Sequence, residues 1–161
     1  MNNTSPAYPK ISLITPSLNQ GKFIEATIQS VLSQNYPNLE YLVMDGGSSD
    51  NTIDVLKSYS SQLQWVSEKD KGQTDAINKG LRIASGEIVA YLNADDLLLP
   101  GTLLKIAQLF MEHPQTMWIT GQCRIIDENN QEIRKLITAY KNLWLRLSHP
   151  SILLITDYIS Q

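Results

Sequence analysis

Apolar positions along this chain fall in short blocks whose period switches between that of a strand and that of a helix. Residues 11–15 (ISLIT) form a compact β-rich run, as a buried strand does. Pro16 cannot donate to a ladder and is expected to end it. Over residues 22–33 the spacing changes, and Ile24, Ile28, Val31 and Leu32 share one helical face. Residues 35–38 (NYPN) mark a turn, and residues 39–44 (LEYLVM) a second strand. The DGGSSDN loop leads into a helix over 52–59, with Ser49 or Asp50 placed to cap it. A short strand is expected at 63–66. A helix follows over 74–84, with Ile77, Leu81 and Ala84 on one side and Ser85-Gly86 closing it. Residues 88–92 (IVAYL) form a fourth strand, followed at once by NADD.

Pro100 and Gly101 open another helix, with Leu103, Ile106, Ala107, Phe110 and Met111 as its buried stripe; His113-Pro114 ends it. Residues 117–120 and 123–126 read as a strand interrupted by Gly121 and Gln122. A hairpin-like turn is expected at 127–130, with 132–137 returning as its partner. Strands alternating with helices predict right-handed βαβ units, a mainly parallel sheet and an α/β fold. Residues 140–161 carry no clear period, and the last five (DYISQ) read as a chain cut in mid-domain.

Composition changes this picture little. The 161 residues are 42% apolar and 18% charged, as in a globular domain with one core. A net charge of -3 argues against a nucleic-acid binder, which usually carries a basic face. Cys123 is the single cysteine, so no disulfide closes within the chain, which fits a reduced cytoplasmic setting. His113 and His149 stand apart and offer no zinc cluster. Residues 1–9 are polar and read as a disordered lead-in, not a signal peptide. No apolar run approaches the roughly 18 residues of a membrane span.

Polar residues gather after three of the four expected strands: residues 16–21 (PSLNQG), 45–50 (DGGSSD) and 93–96 (NADD). Ligands of open parallel sheets bind beyond the carboxyl ends of the strands, so three such clusters mark one edge. Asp95 and Asp96 adjoin an apolar strand. Two carboxylates there repel, and a divalent cation relieves the conflict; oxygen ligands select Mg2+ or Mn2+. The competing reading makes this pair a cap for the helix near Pro100, and spacing alone does not separate the two. Gly46 and Gly47 match no phosphate-loop pattern and read as suppliers of positive φ in a turn. Asp45 is placed to accept from a base N–H or a ribose hydroxyl. In EKDKGQTDAINKG most charges read as solvated surface, with Asp75, Asn78 and Lys79 in the early helical turns facing the site. Trp65, Trp118 and Trp144 read as core or interface residues.

Residues 11–52, ISLITPSLNQGKFIEATIQSVLSQNYPNLEYLVMDGGSSDNT, resemble the N-terminal stretch of family-2 glycosyltransferases. WVSEKDKGQTDAINKGLRIASGEIVAYLNADDLLLPG continues the likeness in the same order. The resemblance covers residues 10–135. It implies a GT-A fold, a Rossmann-like α/β/α sandwich that binds a nucleotide diphosphate sugar, and an acceptor-binding portion that begins at 136–161 and is incomplete. Thr15, Pro16, Ser17 and Asn19 would line the nucleotide pocket, with Asp45 near the base. Asn93-Ala94-Asp95 stands where the family's D-x-D motif falls, so Asp95 and Asp96 would meet ribose and a Mn2+ or Mg2+ ion. Two positions depart from the pattern. Asn93 replaces the first carboxylate of D-x-D, and Gly46 replaces a second acidic residue. The base that deprotonates the acceptor belongs to the other half of such enzymes and is not assigned.

The implied activity is metal-dependent, inverting transfer of a sugar from a nucleotide diphosphate donor, with UDP the expected nucleotide. The acceptor would be a glycan or a lipid-linked saccharide. The alternative is a non-catalytic nucleotide-sugar-binding fragment or degenerate copy; a flavodoxin-like signalling domain fits the NADD context poorly. Leu143, Trp144, Leu145 and Leu147 form an apolar group that predicts self-association or peripheral contact with the inner face of a membrane.

Overall fold

A computed structural model describes residues 8–127, 131–148 and 154–160. Eight strands and five helices are seen among them. Contacts divide the chain into two units, one of residues 1–24 and 35–94, the other of residues 25–34 and 95–161.

The first unit holds a four-stranded parallel sheet in the order β3-β2-β1-β4. Its strands are β1 (Ile11–Ser17), β2 (Leu39–Asp45), β3 (Gln64–Ser67) and β4 (Ile88–Tyr91). All seven β1 residues are buried, as expected of a central parallel strand covered on both faces. The expectation that Pro16 ends this strand is wrong: Pro16 is buried and pairs with Met44. The ladder shows why. Lys10 and Ile14 turn their carbonyls to the β4 side, accepting from Ile88 and Leu92, whereas Ser17 accepts from Gly46 on the β2 side. Pro16 shares the parity of Lys10 and Ile14, and β4 pairs only as far as Ile14. Its missing N–H therefore lies where no neighbouring strand asks for one.

Two helices belong to this unit, α2 (Thr52–Ser58) and α3 (Gln73–Ile83). Asp50 Oδ1 accepts from the Thr52 N–H at 3.0 Å, the expected help at the α2 start, although the N-cap position itself is Asn51. The buried face of α3 differs from the sequence expectation. Ala76 and Gly80 are buried, while Leu81 is exposed. Ala76 packs with Ile14, Leu42 and Met44, and a Cβ at Gly80 would come within 2.6 Å of Ile14 Cγ2. Small residues let the helix lie close on the sheet, and close packing outranks the larger side chains one position on.

The second unit contains α1 (Ile24–Leu32) from Glu25 onward, with Ile28 and Val31 fully buried as the helical spacing predicts. It also holds a mixed sheet in the order β5-β8-β6-β7. The strands are β5 (Asp96–Leu98), β6 (Thr120–Ile126), β7 (Glu132–Ile133) and β8 (Leu154–Ser160). β8 runs parallel to β6 and antiparallel to β5. Ser30 Oγ on α1 accepts from Leu98 N at 3.1 Å, and Gln34 Nε2 donates to the Leu99 carbonyl at 3.0 Å.

β6 continues through Gly121 and Gln122, where an interruption is expected; the ladder shifts register at Gln122/Cys123 instead. The hairpin is present as β6 against β7, although residues 128–130 of its turn lie outside the described residues. The return strand is shorter than expected, because α5 (Lys135–Ser148) takes over. In α4 (Thr102–Glu112) Leu103 and Ala107 are fully buried, but Met111 is exposed. Trp118 is exposed too, so it is not a core residue. Trp65 is half-buried and donates to Ser60 Oγ at 2.9 Å.

Candidate functional site

The carboxyl ends of β1, β2 and β3 carry a connected set of polar groups in the first unit. Asp45, at the end of β2, is 2% exposed. Its Oδ2 accepts from Gly47 N at 3.0 Å, Ser48 N at 2.9 Å and Ser67 Oγ at 2.6 Å, and its Oδ1 from Ser48 Oγ at 2.5 Å. Four donors match the roughly four lone-pair sites of a carboxylate. The side chain thus shapes the 46–48 loop and ties the end of β2 to that of β3. Gly47 has φ +87°, as the turn reading requires, but Gly46 does not lie in the left-handed region.

The loop after β1 is clasped to the loop after β2. Asn19 N donates to Ser48 Oγ at 2.7 Å, and Asn19 Oδ1 accepts from Ser49 N at 2.8 Å. Gln20 N donates to Thr52 Oγ1 at 3.0 Å and Gly21 N to Asp50 Oδ2 at 2.9 Å. The Thr52 hydroxyl, with the Gly21 and Thr52 N–H groups, holds the Asp50 carboxyl below its usual value against the opposing effect of burial. Asn19 sits at φ +53°, a conformation that asparagine tolerates better than most residues. Asn19→Ala is expected to lower the unfolding free energy by about 1–2 kcal/mol, from the lost hydrogen bond and the left-handed backbone together. A urea unfolding curve that matches the parent within about 0.5 kcal/mol would count against this clasp.

Thr15 is fully buried, with Oγ1 3.1 Å from the hydroxyl of Tyr41. Burial pushes the pKa of that phenol up. Ser17 is buried, and its Oγ has no partner among the described residues.

A second cluster forms between β3 and α3. Lys79 reaches Glu68 Oε1 at 2.8 Å, the Lys69 carbonyl at 3.3 Å and Asp75 Oδ2 at 3.6 Å. Its pKa is raised, first by the hydrogen bond it donates to Glu68, against burial and with further help from the negative charges of Glu68, Asp75 and Asp70. Asp75 accepts from Lys71 N at 3.1 Å, which together with the Lys79 charge lowers its pKa despite burial. Asn78 is exposed. Asn93 Oδ1 accepts from Gln73 Nε2 at 2.7 Å, tying the end of the fourth strand region to the first turn of α3. The structure thus connects Asn19 with the Asp45 loop, Asp75 with Lys79, and Asn93 with Gln73.

Asp70 was not singled out by the sequence. It is half-buried, and its carboxylate lies against Gly46. Read alone, EKDKGQ is a charge run without a period, so only the gap at Gly46 could have pointed to it.

In the second unit Asp95 is half-buried in a turn, whereas Asp96 opens β5 and is 2% exposed. The capping alternative for this pair fails. The N-cap of α4 is Gly101, in the left-handed region, so neither aspartate holds the cap position. Among the described residues no three His, Cys, Asp or Glu side chains gather as a metal cage.

The profile described as "Glycosyl transferase family 2" matches residues 12–159. The chain belongs to glycosyl transferase family 2. Among its family-2 relatives, the Escherichia coli UDP-Glc:alpha-D-GlcNAc-diphosphoundecaprenol beta-1,3-glucosyltransferase WfgD is 36% identical over 140 residues, 85% of this chain and 54% of that protein. The putative teichuronic acid biosynthesis glycosyltransferase TuaG of Bacillus subtilis is 33% identical over 139 residues, 84% of this chain and 55% of that protein. The chain spans about half the length of these curated relatives. Among solved structures, S. aureus TarS 1-349 in complex with UDP-GlcNAc matches with TM-score 0.67 and 25% identity over 74% of this chain and 36% of that one. The mannosyltransferase PcManGT from Pyrobaculum calidifontis, in complex with GDP-Man and Mn2+, matches with TM-score 0.64 and 27% identity over 74% of this chain and 37% of that one. The mixed α/β architecture with a four-stranded parallel sheet is that of these GT-A glycosyltransferases. No helix among the described residues is long and apolar enough to cross a membrane.

Proposed function

We propose that this chain is the donor-binding part of a glycosyltransferase that moves a sugar from a UDP-linked donor to a glycan or lipid-linked acceptor, with inversion. The observation that carries the reading is the hydrogen-bonded polar edge at the carboxyl ends of β1, β2 and β3, in a chain of this family. In an open parallel sheet that edge is where a nucleotide lies. UDP follows from WfgD, whose name gives a UDP-Glc donor, and from TarS, seen with UDP-GlcNAc. A lipid-linked acceptor follows from the diphosphoundecaprenol in the WfgD name.

In this proposal residues 10–135 form the donor domain, and Thr15, Pro16, Ser17 and Asn19 present the first loop to the nucleotide. Asp45 acts by holding the second loop in shape. Asp75 and Lys79 brace the loop before α3, with Asn78 and Asn93 at the same helix.

The residues present fit a divalent ion of the kind seen with PcManGT. Mg2+ is commonly held by one or two carboxylates plus substrate phosphates, not by a full protein cage. Asp95, half-buried, suits that task; Asp96 is buried and already engaged. Such an ion neutralises negative charge on the leaving diphosphate.

The test is calorimetric titration of UDP into the chain with and without Mn2+. Binding that requires Mn2+ is expected. In Asp95→Ala the Mn2+-dependent part should weaken at least about tenfold with the melting temperature unchanged, since about 1.4 kcal/mol of lost interaction is a factor of ten. Asp96→Ala should instead lower the melting temperature. UDP binding that ignores Mn2+, or survives Asp95→Ala intact, would remove the metal assignment.

A further inference from the structure

The helix α5 is amphipathic in the opposite sense to a helix that seals a protein core. It packs on β6, and the side it turns inward carries the buried Thr138, with Asn142 half-buried. Its larger apolar side chains point the other way. Leu136 is 87% exposed and Tyr140 63%, and Ile137 and Leu143 are exposed beside them. Leu136, Tyr140 and Leu143 are spaced four and three residues apart, so they form one stripe along the helix. A surface helix of a globular domain normally shows the reverse, with its apolar stripe turned inward.

Charge indicates what the stripe faces. Residues 133–143 hold three of the chain's 13 basic side chains, Arg134, Lys135 and Lys141, and none of its 16 acidic ones. Glu132, in β7, is the nearest acid along the chain. The three basic residues are all exposed. By helical spacing Lys135 and Lys141 fall on opposite borders of the stripe, between it and the buried side. Long basic side chains there lay their stems along apolar surface and carry the charge to its rim. The chain as a whole has a net charge of -3, so this local positive excess runs against its overall balance. A second copy seated on the stripe by two-fold symmetry would set the basic rim against itself. An anionic lipid surface complements both parts at once, its acyl boundary the stripe and its headgroups the rim. The 14 residues of α5 span about 21 Å. That is short of the roughly 30 Å of a hydrocarbon core, so the helix would lie in the interface and not cross it.

We infer that α5 is a membrane-docking helix, with Leu136, Ile137, Tyr140 and Leu143 entering the surface of an anionic bilayer while Arg134, Lys135 and Lys141 meet its headgroup phosphates. This rests on α5 alone and not on the donor-site reading. The contact needs both parts, negative lipid charge and the apolar stripe.

The experiment is co-sedimentation of the whole chain with vesicles of phosphatidylcholine alone, and of phosphatidylcholine mixed with an equal part of phosphatidylglycerol. The parent should sediment with the mixed vesicles and stay in solution with the neutral ones. Its binding should weaken as salt is raised to about 1 M, where the screening length falls to about 3 Å. Lys135→Gln combined with Lys141→Gln should weaken the partition about 25-fold, roughly fivefold for each charge. Leu136→Gln combined with Leu143→Gln should weaken it at least about tenfold. All four positions are exposed, so each variant should melt with the parent; if one fails to fold, the lipid and salt comparisons on the parent carry the test. A parent that stays in solution with both kinds of vesicle overturns the inference, and if it also dimerises in sedimentation equilibrium the stripe belongs to a second copy. Equal binding to neutral and anionic vesicles overturns it too, as does a folded leucine variant that binds as the parent does.

Discussion

Replacing Glu40 with alanine is expected to destabilise the first unit by about 3 kcal/mol, near the lower end of the range for breaking a buried ion pair. Glu40 sits in β2 with its carboxylate almost fully buried. It accepts from Lys10 Nζ at 2.7 Å, Ser85 Oγ at 2.6 Å, Ser85 N at 2.8 Å and the Ser12 hydroxyl. One side chain thereby joins the strand next to it with the loop between α3 and β4. Alanine leaves these donors without their acceptor. The Lys10 side chain keeps 35% exposure, so water can rehydrate the ammonium, and this holds the cost below the upper end of the range.

The same carboxylate sets an acid limit. Burial alone would raise its pKa, but the hydrogen bonds from Lys10, Ser12 and Ser85 outweigh it and bring the value from 4.5 to about 2. The folded state then binds fewer protons than the unfolded chain between those values. The stabilisation is complete above about pH 4.5 and is lost as the pH falls toward 2. Such a shift corresponds to about 3 kcal/mol, in line with the figure from the ion pair. Urea unfolding at pH 7 and pH 3 should show a steeper loss for the parent than for Glu40→Gln. Equal losses in the two would mean that Glu40 is not the group responsible.

Gly86→Ala should cost about 2–3 kcal/mol, an overpacking penalty at a site where little can yield. A Cβ there would lie 2.6 Å from Ser12 N and 2.8 Å from the Lys10 carbonyl, both backbone atoms of or next to β1. The intrusion has to part the loop from the strand, and with it the 2.8 Å bond from Gly86 N to Ser12 Oγ. Ser12 is also a partner of Glu40, so the two losses will not add when the substitutions are combined. A double-mutant cycle on urea midpoints measures this, and strict additivity would show that the two sites are independent.

What could be read from the sequence was what has a period. The strand at 39–44 and the helix carrying Ile24, Ile28 and Val31 stand where their apolar spacing put them. Features that depend on a distant neighbour could not be read this way. Pro16 looked like a strand end because its tolerance comes from how far β4 runs, which position 16 does not encode. β5 was hidden in NADDLLLP because its partner β8 lies some 60 residues later along the chain. Gly86 read as a helix stop, whereas the structure gives it a second task, the close approach to β1. Family motifs brought attention to Asp45 as a ligand contact; four hydrogen bonds from its own surroundings give it the work of ordering a loop.

The division of the chain has a consequence for its synthesis. Residues 25–34 belong with residues 95–161, so 60 residues of the other unit are translated between the two parts. Ser30 and Gln34 emerge from the ribosome well before Leu98 and Leu99, the residues they bond. The helix α1 therefore leaves the ribosome before the residues of its own unit that it bonds have been made. No single cut in the chain separates the two units cleanly. A deletion series that trims from the C-terminus to residue 95 removes only residues of the second unit yet leaves α1 behind, and limited proteolysis at the 94–95 junction would leave α1 attached to the wrong piece.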